Sequence, residues 1–386
     1  MAFLEGLTIL DLASVGPAAR ASRILADYGM KVIKVAPVAA QGAKQIDPVY
    51  HAYGAGRGMQ KIRVDLKSEQ GQAAIYKLAA SVDVVMESYR PGVANRLGVG
   101  YEDIRQHNPA IVYCSTSGYG QDGPYAQWAG HDINYLAMGG FLACSGTDSE
   151  GRPAMPGATV ADSAGGGMHA AMAIISALLH RFRHGEGAYL DVAATDGVLS
   201  LMSLYLDQYT ATGVETRPNS AVLTGAYAWY GVYQASDGGA VSVGAIEPHF
   251  FRNLCRLLEL EQFNESQYDL ALQEEMKAAF RDKFLTRPRD FWTQLLADQS
   301  TCVAPVLSIA EVVEDRHFRS RHTFMQARHP TEGAFAQLAP VLAGCDRQQP
   351  EHHVQAAGET NTDEVLSAAG FAQEEIAALK AGGCVE

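Results

Sequence analysis

The 386-residue sequence predicts an α/β protein: a large Rossmann-like domain built on a parallel sheet, without a dinucleotide fingerprint, plus a smaller α+β domain. Three observations lead there. Short aliphatic runs alternate with helical periods from Leu7 to Ser115, a turn-rich stretch of Thr, Gly, Pro and Asn interrupts the chain from Thr210 to Ser220, and aromatic, strand-forming text follows it. With 47% hydrophobic and 19% charged residues the composition is that of an ordinary folded chain, long enough for two domains.

Taken in order, Leu7 to Leu12 reads as a buried strand, Pro17 opens a helix to about Tyr28, and Gly29 ends it before the strand Lys31 to Val35. That is a βαβ unit. Strands at Ile62 to Leu66, Val82 to Met86 and Ile111 to Ser115 extend the sheet, with a helix from Ser68 to Ala80 between the first two. A long helix starts near Asp162, a good N-cap, with an apolar stripe of Met168, Met172, Ile175 and Leu179 and a stop at Gly185. Gly165, Gly166 and Gly167 weaken its first turns, which points to close approach by another backbone or a ligand. Ala188 to Val192 is a further strand and Asp196 to Tyr209 a helix. Beyond the linker come strands within Tyr227 to Val243, helices at Phe250 to Leu258, Leu270 to Phe284 and Pro288 to Asp298, a strand Val303 to Leu307, and a helical pair at Thr362 to Ala369 and Gln373 to Ala381. The expected division is a large domain over 1–209, a linker over 210–224, a small domain over 225–330, and a segment over 331–386 returning to the large domain.

Several function classes are disfavoured. A net charge of −13 offers no global attraction for nucleic acid or an anionic membrane surface, so neither is expected as a partner and any anionic ligand must be met locally. No apolar run reaches the roughly 18 residues of a membrane span, and the first residues lack a basic, cleavable leader, so a cytoplasmic location is expected. The six cysteines are widely scattered with no CxxC pair, which argues against a metal or redox motif. The turn Ser14-Val15-Gly16-Pro17 lacks the G-x-G-x-x-G spacing and no P-loop is present.

Chemistry concentrates in two places. Gly130-His131-Asp132-Ile133-Asn134-Tyr135 sets an imidazole, a carboxylate and an amide in succession after a turn-rich loop. Asp162 opens a glycine-rich helix whose free N–H groups suit an anion or a developing oxyanion. His131 as an ordinary loop histidine, and Asp132 and Asp162 as plain N-caps, are the competing readings.

Over nearly its whole length the chain resembles the family III coenzyme A transferases (the CaiB/BaiF superfamily) and, within them, the α-methylacyl-CoA racemase branch. The matching text includes Leu7 to Leu12, Leu25-Ala-Asp-Tyr-Gly29, Val64-Asp-Leu-Lys67, Ser88-Tyr-Arg-Pro-Gly-Val93, Arg96 to Tyr101, Gly130 to Tyr135, Asp162 to Met168, Glu247-Pro248 and Ala304-Pro-Val-Leu307. His131 is the residue that favours the racemase branch. The resemblance implies that His131 and Asp162 are the two acid–base groups, that Glu247 orients the histidine, and that Asp132 is a weaker partner. It implies coenzyme A contacts at Arg57, Val64, Leu66, Lys67, Ser88, Tyr89, Arg90, Arg96, Gly130 and Tyr135, an acyl-CoA thioester as substrate, no cofactor or metal, and an interlocked homodimer. The expected reaction is inversion of the α-carbon of a 2-methylacyl-CoA by two-base proton transfer, a step in lipid metabolism. The alternatives are coenzyme A transfer through a mixed anhydride and an aspartyl-CoA intermediate at Asp162, and a non-catalytic acyl-CoA-binding protein. Three departures stand out: Val35-Ala36-Pro37 lacks the acidic residue and Arg usual before that Pro, Met59-Gln60 interrupts a basic stretch, and Asp162-Ser163-Ala164 reads partly like the transferases.

Overall fold

The computed structural model describes residues 2–13, 16–38, 56–356 and 358–386; Ser14 and Val15 of the first turn lie outside the described residues. The chain divides into two compact units, one of residues 1–139, 156–203 and 316–386, the other of 140–155 and 204–315.

The first unit is built on β1 (Thr8–Asp11), β2 (Lys31–Ala36), β3 (Gln60–Arg63), β4 (Val84–Glu87), β5 (Val112–Ser117) and β6 (Ala188–Ala193), all parallel in the order β3-β2-β1-β4-β5-β6. The order reverses between β1 and β4. In an open parallel sheet that reversal leaves a crevice outside the carboxyl ends, the usual place for a ligand. Its helices include α1 (Gly16–Asp27), α2 (Glu69–Ala79), α3 (Tyr101–Arg105) and α4 (Asp132–Met138). Ala18, Ala21 and Leu25 form the buried face of α1. Asp11 ends β1 fully buried and is satisfied by the Ser22 hydroxyl (2.5 Å), the Ala13 N–H (2.8 Å) and the Lys34 ammonium (2.7 Å).

The long helix departs from its expected form in two ways. Residues Ala161–Met168 wind as π-helix before α5 (His169–His184) continues as α-helix, and Val160 is already helical, so Asp162 sits inside the helix and is not its N-cap. The buried face consists of Ala170, Ala171, Ile174, Ala177 and Leu178, whereas Met168, Met172 and Leu179 of the expected stripe are about half exposed. Periodicity could not separate two apolar faces, and the close-packed one is lined with alanine. The glycines explain this. A Cβ on Gly166 would come within 2.5 Å of the Pro17 side chain, one on Gly167 within 2.5 Å of Arg20 Cβ, and one on Gly197 within 1.8 Å of the Gly165 carbonyl oxygen. The π-helical turns are therefore pressed between α1 and α6 (Ala194–Leu201) at near backbone contact.

The second unit holds β7 (Tyr230–Gln234), β8 (Ala240–Gly244) and β9 (Val303–Pro305) in one antiparallel sheet, with α7 (Pro248–Leu257), α8 (Gln273–Phe284) and α9 (Arg289–Leu296). Trp229, Phe251, Phe280, Phe284 and Trp292 fill its core. Both indoles are satisfied, Trp229 Nε1 donating to the Gln267 carbonyl and Trp292 Nε1 to the Phe284 carbonyl, each at 2.8 Å. This unit is wider than the expected small domain at its start and shorter at its end. It takes in 140–155, where the Cys144 thiol meets the Thr216 carbonyl, and most of the Ser203–Thr212 helix, but gives up 316–330.

The final stretch belongs to the first unit. It forms a hairpin of β10 (Phe324–His329) and β11 (Gly333–Leu338), a short β12 (His352–His353) parallel to β10, and helices α10 (Thr362–Ala368) and α11 (Gln373–Ala381). Val365, Leu366 and Ile376 pack with Val35, Ile62 and Val64. The strand expected at Ile62 to Leu66 is displaced to Gln60–Arg63, and Val64 bridges Val385 instead. All six cysteines are free, and no helix among the described residues is long and apolar enough to cross a membrane.

Candidate active site

A cavity of about 380 Å³ opens at the carboxyl ends of β4 and β5, beside the point where the strand order reverses. Ser88, Tyr89, Arg90 and Pro91 form one wall, Ser117 and Gly118 the floor, and Ala126, Trp128 to His131, Asn134 and Tyr135 the other wall. Tyr135 organises it. Its hydroxyl donates to the Gly130 carbonyl at 2.6 Å and its ring stands edge-on to Tyr119 at 5.2 Å. A Cβ on Gly118 or Gly130 would fall 2.3 or 2.7 Å from that ring, so both positions need glycine for steric reasons. The Gly118 carbonyl in turn accepts the Thr195 N–H (3.1 Å) and hydroxyl (2.5 Å), which ties the floor to α6.

His131 is exposed at the N-cap of α4, with an extended backbone. Its N–H donates to Asn134 Oδ1 at 3.0 Å, which accounts for the Asn of the motif. Among the described residues no hydrogen bond engages the imidazole. Asp132 has a different use from its neighbour: its Oδ1 accepts the Asp162 N–H at 2.7 Å. The first turn of α4 is thereby joined to the π-helical segment, and Asp132 acts as the link between the two candidate acid–base residues.

Asp162 lies outside the lining of the cavity and is half-buried. Burial raises its carboxyl above the usual range; the Asp132 charge adds to this, and Arg20 and His131 oppose it. The helix start does not supply the free N–H groups expected for an oxyanion, because the Asp162 N–H is taken by Asp132 and that of Ser163 by the Thr159 carbonyl at 3.0 Å. Glu247 belongs to the second unit, where it is exposed at the start of α7 ahead of Pro248.

The expected coenzyme A contacts separate into groups. Ser88, Tyr89, Arg90, Gly130 and Tyr135 line the cavity together. Val64 is a core residue, Leu66 packs partly against that core, and Lys67 and Arg96 are exposed away from the cavity lining. Arg57 is engaged within the fold. Its guanidinium donates to the Leu338 carbonyl (2.5 Å), Gln337 (3.1 Å) and Asp27 (3.0 Å), fastening β11 to α1. Burial brings it down to about 10. A larger cavity of about 800 Å³ lies at the ends of β2 and β3, with Lys34, Lys61, Arg63, His329, His352 and His353 on its walls. The sequence pattern did not reveal these basic side chains as a group. Lys61 belongs to the interrupted basic stretch, while the histidines come from strands that carried no clear period.

The profile of CoA-transferase family III matches residues 4–356, and the chain is an enzyme of this family. A mouse α-methylacyl-CoA racemase is 33% identical over 99% of this chain and 97% of its own length. The acetyl-CoA:oxalate CoA-transferase of Acetobacter aceti is 31% identical over 80% of this chain and 81% of its own. Among solved structures, a CaiB/BaiF family protein from Brucella suis aligns with a TM-score of 0.73 at 25% identity, covering 98% of this chain and 99% of that one.

Proposed function

We propose that this enzyme inverts the α-carbon of 2-methylacyl-CoA thioesters by two-base proton transfer. The observation that carries the reading is the junction of His131 with Asp162: an imidazole at the cavity wall, whose neighbour Asp132 holds the Asp162 backbone, and an aspartic acid whose carboxyl is raised by burial. In one direction neutral His131 removes the α-proton and protonated Asp162 returns a proton to the opposite face; in the other, the roles exchange. The two states hold the same number of protons, so the enzyme that ends one direction is ready to begin the other. A raised carboxyl favours the protonated partner this cycle requires. Arg90 would meet a phosphate of coenzyme A, and the basic walls of the larger cavity suit its nucleotide end. Glu247 would steady the histidine across an interlocked homodimer. The exposed apolar stripe of Met168, Met172, Leu179 and Phe182 supports a second copy.

The extent of identity to the racemase favours this reading. The transferase reading keeps one observation of its own, Asp162-Ser163-Ala164 together with the 31% identity to a CoA-transferase. It would use Asp162 as nucleophile. Incubation with a 2-methylacyl-CoA in deuterated water separates them. Inversion with α-deuterium incorporation from either enantiomer is expected; coenzyme A appearing on an added carboxylic acid without α-exchange overturns the reading.

A further inference from the structure

Glu87 ends β4 with its side chain 2% exposed. The register sets Glu87 beside Ser115 and Ser115 beside Asp191, so a carboxyl, a hydroxyl and a carboxyl form a row across the ends of three adjacent strands. This row grips both segments that shape the site cavity. Glu87 Oε2 accepts the Tyr89 N–H at 2.6 Å, and Asp191 Oδ2 accepts the Gln121 N–H at 2.9 Å. Ser115 bonds Glu87 and receives the Tyr189 hydroxyl at 3.3 Å. A separate cavity of about 250 Å³ opens on Glu87 and Ser115, and Arg90 lines both it and the site cavity. Among the described residues no ion pair reaches Glu87. A buried carboxyl without a cation is unfavourable, and this one holds the backbone of the segment that carries Arg90.

We propose that Glu87 is a positioning residue for thioester binding: its carboxyl holds Ser88 to Pro91 in the arrangement that presents Arg90 to the site cavity, and the strength of the hold follows its ionisation. The inference rests on the acyl-CoA reading above. Burial pushes the Glu87 carboxyl up to about 7, opposed by the bonds from Ser115 and the Tyr89 N–H and reinforced by Asp191. The other groups that face it are Tyr89 near it in sequence, Tyr113 and Cys114 from β5, Tyr189 from β6 and Glu102 from α3; Arg90 is the one cation among the described residues of this set. An ionised carboxylate accepts an N–H about twice as strongly as a neutral acid. Apparent affinity scales with the fraction of molecules in which the segment is held. Binding should therefore weaken as pH falls through the titration of Glu87.

The test is calorimetric titration of the full chain with coenzyme A itself between about pH 6 and about pH 8.5, for wild type and Glu87→Gln. The amide keeps an acceptor for the Tyr89 N–H but cannot ionise. Wild type is expected to lose roughly threefold to tenfold more affinity on acidification than the variant. The ligand phosphates and every other ionisable group are common to both proteins, so the difference isolates Glu87. Parallel profiles overturn the inference and leave the acyl-CoA reading standing; wild type that binds no coenzyme A at any pH overturns both. Ser115→Ala provides a second check should Glu87→Gln not fold. Losing a donor to the ionised form must move the inflection to higher pH, and an unmoved inflection counts against the proposal.

Discussion

His131 and Asp162 are held by opposite means. The histidine stands at an exposed helix cap on a loop shaped by aromatic rings, with its ring unengaged among the described residues and its position set through backbone bonds to Asn134. The aspartate stands half-buried in a π-helical turn pressed by glycines against α1 and α6. One group is placed by a helix cap at the cavity wall, the other by a close packing contact whose burial raises its carboxyl. The proposed two-base site would gain from this division, because a buried carboxyl can be tuned by its surroundings while an exposed imidazole remains reachable.

The comparison is broken most completely by Asp162→Asn. It is expected to abolish inversion and coenzyme A transfer alike, read as loss of α-deuterium exchange with inversion and of acyl transfer to an added acid. His131→Gln comes next: inversion should fall by roughly 10² to 10⁴ in both directions while coenzyme A binding and the circular dichroism spectrum persist. Near wild-type racemisation by that variant would remove His131 from the mechanism. Gly197→Ala attacks the packing. The added methyl meets the Gly165 carbonyl, so unfolding in urea should reveal a loss of about 1 to 3 kcal/mol, with a fall in kcat as Asp162 is displaced. Unchanged stability would mean that α6 and the π-helical turns are not in rigid contact.

The smallest effect belongs to Asp132→Asn, which keeps an acceptor for the Asp162 N–H but removes the like charge. The Asp162 carboxyl, raised first by burial and second by Asp132, should move down towards the ordinary carboxylate range. The acid limb of the direction that uses Asp162 as base should shift with it. Stability follows the same sign. A raised carboxyl is penalised when ionised, so stability falls as pH rises from the ordinary carboxylate range through the raised value, and the variant should show a shallower fall. An identical pH profile would confine Asp132 to its backbone contact.

Much of the first unit was legible because its strands are short aliphatic runs separated by helical periods, whereas His131, Asp162 and Arg90 also had ordinary readings and stood out chiefly through the resemblance. What escaped depends on three-dimensional packing. The glycines before Met168 announced a close approach without naming the partners, which are Pro17 and Arg20 of α1 and the backbone of α6. The alanine face of α5 carries a weaker hydrophobic signal than the methionine stripe that remains exposed. β10 and β11 were missed because their period is mixed with charge and glycine, and with them went the partner that holds Arg57 and the histidines of the larger cavity. Glu87 reads as an ordinary strand end; its significance appears only when the register sets it beside Ser115.

The bridge between Val64 and Val385 bears on how the molecule is made. The Asp65 N–H donates to the Cys384 carbonyl at 2.9 Å and the Glu386 N–H to the Arg63 carbonyl at 3.1 Å, while the Arg63 and Glu386 side chains pair across 323 positions of chain. The end of β3 is thus covered by residues that lie 323 positions further along the chain. At about 5 to 20 residues per second, the nascent sheet waits tens of seconds with that end unpaired, a period in which a chaperone or a neighbouring nascent chain competes for it.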